Sequence, residues 1–178
     1  MECDFPAHKD YIDGITYMND QLLYGNRLRI RVCGLCTNQA KLLLVKLQID
    51  DRILWSPPGG ELEFGETLHK ALIREFKEET GLRVTPGKLL FASEFINPPF
   101  HAVEVYFDID KYAGQQIHGS DPEQGGNLSI LEVSFLSKEE IMNLPEEHKH
   151  GLLRRWPDPL ELKLNTGLVN QLTKNHIQ

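Results

Sequence analysis

Cysteine is scarce in this chain: three among 178 residues cannot make a disulfide framework. Only Cys33 and Cys36 stand close together, as a CxxC pair with no second Cys or His pair to complete a zinc site. Spaced by three on a strand, they point to opposite faces and read as inert, partly buried thiols. No apolar run approaches the roughly 20 residues of a membrane-spanning helix, so no membrane partner is expected. The first residues, with Glu2, Asp4 and Pro6, lack the basic and apolar regions of a signal peptide, and the expected compartment is the cytoplasm. Positive charge is also short. Nineteen Lys and Arg against 26 Asp and Glu leave a net charge of −7, which argues against a broad nucleic-acid surface. Repeats and low-complexity segments are absent. What remains is 178 residues, 40% apolar and 25% charged, the size and make-up of one globular domain with a proper core.

The most informative stretch runs from residue 59 to 82, GGELEFGETLHKALIREFKEETGL. It reads as a tight glycine turn, a short loop and a helix from about Thr67 to Thr80. The Thr67 hydroxyl can accept a bond from a first-turn amide, and Gly81 tolerates the positive φ that closes a helix. At about 100° per residue, Leu68, Ala71, Leu72 and Phe76 form an apolar stripe. Glu75 and Glu79 fall inside that stripe and Glu78 at its edge, while Lys70, Arg74 and Lys77 are assigned the outward face. The three glutamates are neighbours at i, i+3 and i+4, at the negative end of the helix dipole. Each such placement costs a few tenths of a kcal/mol, and partial burial costs more. A chain selected for stability alone would exchange them with the lysines. A solvated acidic helix end is one reading. The core-side placement, the preceding Gly-Gly turn and Glu66 upstream favour another: oxygen ligands for a hard divalent cation, Mg²⁺ first and Mn²⁺ second.

Residues 1–26 are irregular; Ile12 to Leu23 is expected to form a short helix or an extension packed on a partner subunit, with nothing catalytic in it. LRIRVCGLC alternates apolar residues with Arg29 and Arg31 on a polar face, a half-buried strand. KLLLVKL reads as a more buried strand, and ILWSPPGG carries a short one into the helix motif. Pro57 and Pro58 stiffen that approach, and Gly59 and Gly60 let the backbone come close to a ligand. KLLFASEF and HAVEVYFDID are further strands, the second alternating Ala102, Glu104 and Tyr106 against Val103, Val105 and Phe107. Residues 111–127 read as a loop whose length points to function or mobility. LSILEVSFL is the last clear strand, and Ser137 with Glu140 makes a capping box for a helix. The tail carries a basic cluster, His148, Lys149, His150, Arg154 and Arg155, for which an exposed or dimer-facing surface is preferred to a phosphate-binding role. The order of elements predicts an α/β fold, a mixed sheet covered by helices. The expected organisation is an extension over 1–26, a domain over 27–145 and a tail over 146–178 packing on or extending it.

The 59–82 stretch resembles the signature of the Nudix hydrolases (MutT-like): Gly, five residues, Glu, seven residues, then Arg-Glu-apolar-x-Glu-Glu-x-Gly-apolar. Gly60, Glu66, Arg74, Glu75, Phe76, Glu78, Glu79, Gly81 and Leu82 fill every specified position, Phe76 being bulkier than the usual aliphatic residue. The resemblance implies the Nudix α/β/α sandwich with a loop-helix-loop motif. It also implies a pyrophosphohydrolase that splits a nucleoside diphosphate linked to another moiety. Glu75, Glu78 and Glu79 would be metal ligands with the Gly60 carbonyl, one of the glutamates alternatively serving as general base. Arg74 would orient Glu66 or Glu75 through a charge-assisted hydrogen bond. Some members take the base from a later loop, where Glu123 is the candidate here. Pro98 and Pro99 follow the motif at about the interval of a proline in ADP-ribose-type members. ADP-ribose or a similar nucleotide sugar is therefore the expected small-molecule substrate. Its rival is clean-up of (deoxy)nucleoside triphosphates. The coenzyme A motif is not evident, and the turn reads PPGG rather than the PQGG of dinucleoside-polyphosphate and RNA-end members. Trp55, Phe95, His101, Glu104, Tyr106 and Glu123 are the candidates for lining the substrate pocket. An acidic protein would draw an anionic substrate through bound metal and local basic groups. A silent, nucleotide-binding regulatory domain is the reading from another class, although such domains usually lose motif carboxylates. Many relatives pair, and a homodimer would suit the N-terminal extension.

Overall fold

Strand-forming stretches flank the helix motif on both sides, and in the computed structural model, which describes residues 27–97, 100–116 and 128–170, they assemble into two sheets. The first runs β5 (Gly59–Glu61), β1 (Leu28–Leu35), β7 (Phe100–Ala113), β6 (Arg83–Asn97) and β9 (Gly167–Asn170). It is mixed: β1 lies parallel to β7 and β9 parallel to β6, while β5 pairs β1 and β6 pairs β7 antiparallel. In the second sheet β3 (Lys41–Ile49) pairs with β2 (Thr37–Asn38), β4 (Arg52–Ser56) and β8 (Leu128–Leu136). The dense apolar run of β3 is explained by its central position between β4 and β8.

Helix α1 (Leu68–Thr80) begins and ends where its caps predict. Thr67 accepts the Lys70 amide at 3.3 Å, and Gly81, at φ 73°, donates to the Lys77 carbonyl at 3.0 Å. Its Ala71, Leu72 and Phe76 pack with Val32, Phe107 and Ile109 on one face of the first sheet. The other face buries Cys33, Leu35, Phe91 and Tyr106 against Ile141 of α2 (Lys138–Asn143), Leu152 and Leu153 of α3 (Gly151–Arg155) and Leu162 of α4 (Pro159–Leu162). Each fully buried leucine contributes about 1.5–3 kcal/mol relative to exposure, so the segment after residue 145 is anchored by its own apolar residues. The Ser137–Glu140 capping box is present at α2. The result is the mixed sheet covered by helices that the order of elements predicts, with helices on both faces of the first sheet as the family resemblance implies.

Several details differ from the sequence reading. β6 and β7 are longer than their apolar alternation suggests. Pro86 lies within β6, and the register shifts on either side of it, because a proline cannot donate to the ladder and is accommodated by a bulge. β7 continues to Ala113, into the expected loop. The basic cluster of the tail is not one exposed surface. Lys149 is buried, donating to the Met142 carbonyl at 3.0 Å and pairing with Glu146, and His150 is half-buried. Arg155 is exposed over the Trp156 ring. The apolar residues at 152 and 153 pull the neighbouring cations inward, to satisfy carbonyls and carboxylates. Residues 1–26, Pro98, Pro99 and Glu123, with the expectations placed on them, lie outside the described residues.

Candidate active site

The Gly-Gly turn is wedged between β1 and α1. Pairing of Cys33 with Gly59 and Val32 with Gly60 lays the turn along β1, and the glutamates of α1 reach it from the other side. The Gly59 amide donates to Glu79 Oε2 at 2.8 Å. The Glu75 carboxylate lies directly against Gly60: a Cβ at that position would stand 2.2 Å from Glu75 Oε1. Only a glycine leaves that space. Glu75 and Glu79 are buried, as their places in the apolar stripe predict, and Glu78 at the edge is half-buried.

For Arg74 the outward-face reading is corrected, while the hydrogen bonds to Glu66 and Glu75 that the family resemblance implies are present. Its Cβ direction assigned it to the outward face, but the guanidinium folds back among the acids. Nη1 donates to Glu75 Oε1 at 2.8 Å and reaches Glu78 Oε2 at 3.4 Å. Nε and Nη2 address the two oxygens of Glu66 at 3.3 and 3.1 Å, and Nη2 also donates to the Glu61 carbonyl at 3.0 Å. A helical wheel places Cβ atoms, whereas a long side chain ends where charge draws it. Arg74 thus orients both Glu66 and Glu75, and it supplies part of the positive charge that the crowded glutamates require. With the side chains so placed, no three His, Cys, Asp or Glu side chains among the described residues stand close enough to hold a metal ion. The donor chemistry nevertheless fits a hard divalent cation, since Glu75, Glu78 and Glu79 offer carboxylate oxygen alone and Gly60 leaves the Glu75 carboxylate its cradle.

A second polar group crosses the opposite face of the same sheet. Strand register places Arg31, Glu104 and Ser93 side by side on β1, β7 and β6. Glu104 is buried, accepts the Tyr106 hydroxyl at 2.6 Å, and lies 3.5 Å from His150 Nε2 and 3.8 Å from Arg31 Nε. Burial pushes its carboxyl up, but His150, Arg31 and the Tyr106 hydroxyl together hold it down to about 2. Burial and Glu104 raise the Tyr106 phenol and the Cys33 thiol, and burial pushes Cys36 up to about 12. Arg31 Nη2 donates to the Gly59 carbonyl at 3.2 Å, and the His150 amide donates to the Trp55 carbonyl at 3.0 Å.

Of the five described pocket candidates the structure joins Glu104 and Tyr106 by a hydrogen bond and does not gather the rest around them. Glu104 is in the polar row, and Phe95 lies on the same sheet face, paired with Ala102. His101 is on the opposite face, 3.1 Å from the Glu94 carboxylate. Trp55 is taken into the core, with Lys46 Nζ 5.7 Å from its ring centroid. Arg31 and His150 are the neighbours of Glu104 that sequence reasoning missed. Arg31 looked like the solvent face of a strand, and the only signal was an arginine and a glutamate on strands that proved to pair. His150 was noticed only as part of a basic surface.

The structure is thus a mixed α/β sheet carrying a loop-helix-loop with Glu75 and Glu79 buried and Glu78 beside them. Residues 25–156 match the family described as the NUDIX domain, and the chain belongs to that family. It is 33% identical over 127 residues to an ADP-ribose pyrophosphatase of Methanocaldococcus jannaschii, covering 68% of this chain and 75% of that one. It is 34% identical over 122 residues to the uncharacterized Nudix hydrolase YvcI of Bacillus subtilis, covering 66% and 70%. The crystal structure of the MutT Nudix hydrolase from Burkholderia pseudomallei shares its fold, with TM-score 0.60 and 18% identity over 78% of this chain and 98% of that one. The protein is a Nudix pyrophosphohydrolase, acting on nucleotide pyrophosphate bonds. No helix among the described residues is long and apolar enough to cross a membrane.

Proposed function

We propose that the enzyme hydrolyses ADP-ribose or a closely similar nucleotide sugar in an Mg²⁺-dependent reaction, giving AMP and ribose 5-phosphate from ADP-ribose. The observation that carries the chemistry is the buried Glu75 carboxylate, seated against Gly60 and gripped by Arg74. The relative named as an ADP-ribose pyrophosphatase supports the substrate. Glu75, Glu78, Glu79 and the Gly60 carbonyl would hold the ion, Mg²⁺ or in its place Mn²⁺. When bound, such a cation screens phosphate charge and makes water acidic enough to attack at neutral pH.

The residues of this chain do the rest. Arg74 holds Glu66 and Glu75 at fixed angles, so the carboxylates do not reorganise as the substrate arrives. Water oxygen bonds to one phosphorus, that atom's bond to the bridging oxygen breaks, and the bridging oxygen leaves on the other phosphate. The proton of the attacking water passes to a carboxylate: one of the motif glutamates or Glu123, which lies outside the described residues. Purified protein incubated with ADP-ribose, other nucleotide sugars and deoxynucleoside triphosphates, with and without Mg²⁺, tests the reading by chromatography of the products. Preference for ADP-ribose with release of AMP is expected. Turnover of triphosphates alone would refute the substrate, and Glu78→Gln and Glu79→Gln enzymes with near-wild-type Mg²⁺-dependent turnover would refute the site.

A further inference from the structure

Arg31 occupies a place that stability alone does not favour. Its side chain is largely covered, its Nε is buried without a hydrogen-bond partner, and its carboxylate neighbour stands at 3.8 Å rather than in a paired fork. An imperfectly paired, largely desolvated ion pair is often replaceable by apolar residues at no loss of stability. What the arginine does achieve is a grip on the turn. Its Nη2 holds the carbonyl of Gly59 at 3.2 Å, while the amide of the same residue is held by Glu79 at 2.8 Å.

Glu104 lies beside Arg31 across the β1–β7 pairing and is itself fixed by the Tyr106 hydroxyl and by His150 from the tail. A continuous set of contacts therefore runs from the C-terminal segment through Glu104 and Arg31 to Gly59, and from Gly59 to a glutamate of the motif helix. The two clusters on opposite faces of the sheet meet at that one residue.

We infer that Arg31 is a positioning residue: backed by Glu104, it fixes Gly59 and so sets the orientation in which Glu79 is presented to a divalent cation. The inference rests on the reading that Glu79 holds the ion. It assigns to a strand outside the helix motif a share in cation affinity, of the kind that partners behind metal ligands commonly have.

Mn²⁺ binding to the substrate-free protein, followed by the electron paramagnetic resonance of the free ion, tests it directly. Arg31→Met is expected to weaken Mn²⁺ binding by about 10- to 100-fold. Glu104→Gln, which keeps shape and an acceptor for Tyr106, should weaken it less but in the same direction, and Arg31→Lys should recover part of the loss. Substrate KM at saturating metal should stay close to wild type in all three. Unchanged Mn²⁺ affinity in Arg31→Met and Glu104→Gln would overturn the inference. A lowered melting temperature beside that result would mark a merely structural role, and a raised KM a direct contact with substrate. Should Arg31→Met fail to fold, Glu104→Gln and Arg31→Lys decide the matter. Glu79→Gln separates the two levels: if wild type binds Mn²⁺ and Glu79→Gln binds it equally well, the site reading itself has failed.

Discussion

Replacing Gly60 by alanine separates the work of the site from the stability of the fold. The added methyl would lie 2.2 Å from Glu75 Oε1 and 2.3 Å from its carboxyl carbon, where carbon needs about 3.5 Å. The carboxylate must therefore retreat by about 1 Å. The atoms that must move are the far end of a flexible side chain, so the cost to folding is small, about 1 kcal/mol. For a chain of this size that corresponds to a melting temperature lowered by roughly 2–4 °C. The cost to the reaction is larger. Retreat pulls Glu75 from the Arg74 Nη1 that holds it at 2.8 Å, and a misplacement of about 1 Å is worth roughly 100-fold in rate. Steady-state kinetics beside thermal unfolding measures both. A Gly60→Ala enzyme with wild-type kcat/KM at wild-type metal concentration would refute the cradle, and so would one that fails to fold.

Removing the guanidinium in Arg74→Ala leaves Glu66, Glu75 and Glu78 without the cation that joins them, and urea unfolding should show a loss of about 2–3 kcal/mol. Glu104 sets an acid limb: its carboxyl lies at about 2 in the folded protein against 4.5 as the ordinary value. Its contribution, about 3 kcal/mol, is therefore complete above pH 4.5 and lost as pH falls toward 2. The stability difference between wild type and Glu104→Gln, measured by denaturant titration, should shrink over that range, and a constant difference would refute the pairing with Arg31, His150 and Tyr106. Cys33 and Cys36 are buried with raised thiols, so at pH 8 iodoacetamide should leave both unmodified until denaturant is added, as peptide mass spectrometry would show.

The metal-ligand candidates were legible because a helix converts spacing into direction. Once Thr67 and Gly81 bound the helix, the positions of Glu75 and Glu79 inside its apolar stripe follow from the angle per residue alone, and the structure buries both. The strand alternation of β7 was legible for the same local reason. The inward turn of Arg74 was legible only through the family resemblance, because a wheel describes where a side chain starts and not where its charge ends. The pocket candidates scattered because their choice rested on residue type: Trp55 went to the core and His101 to the other sheet face.

By itself, then, the sequence determined the class of fold, the helix with its caps, the acid cluster and the family to which the chain belongs, all of which depend on short-range spacing. Tertiary structure decided that Arg31 and Glu104 share a row, that His150 returns from the tail to meet them, and that Gly59 joins this row to Glu79. Those contacts depend on which strands pair and in what register, a choice made by the packing of two cores on either side of one sheet.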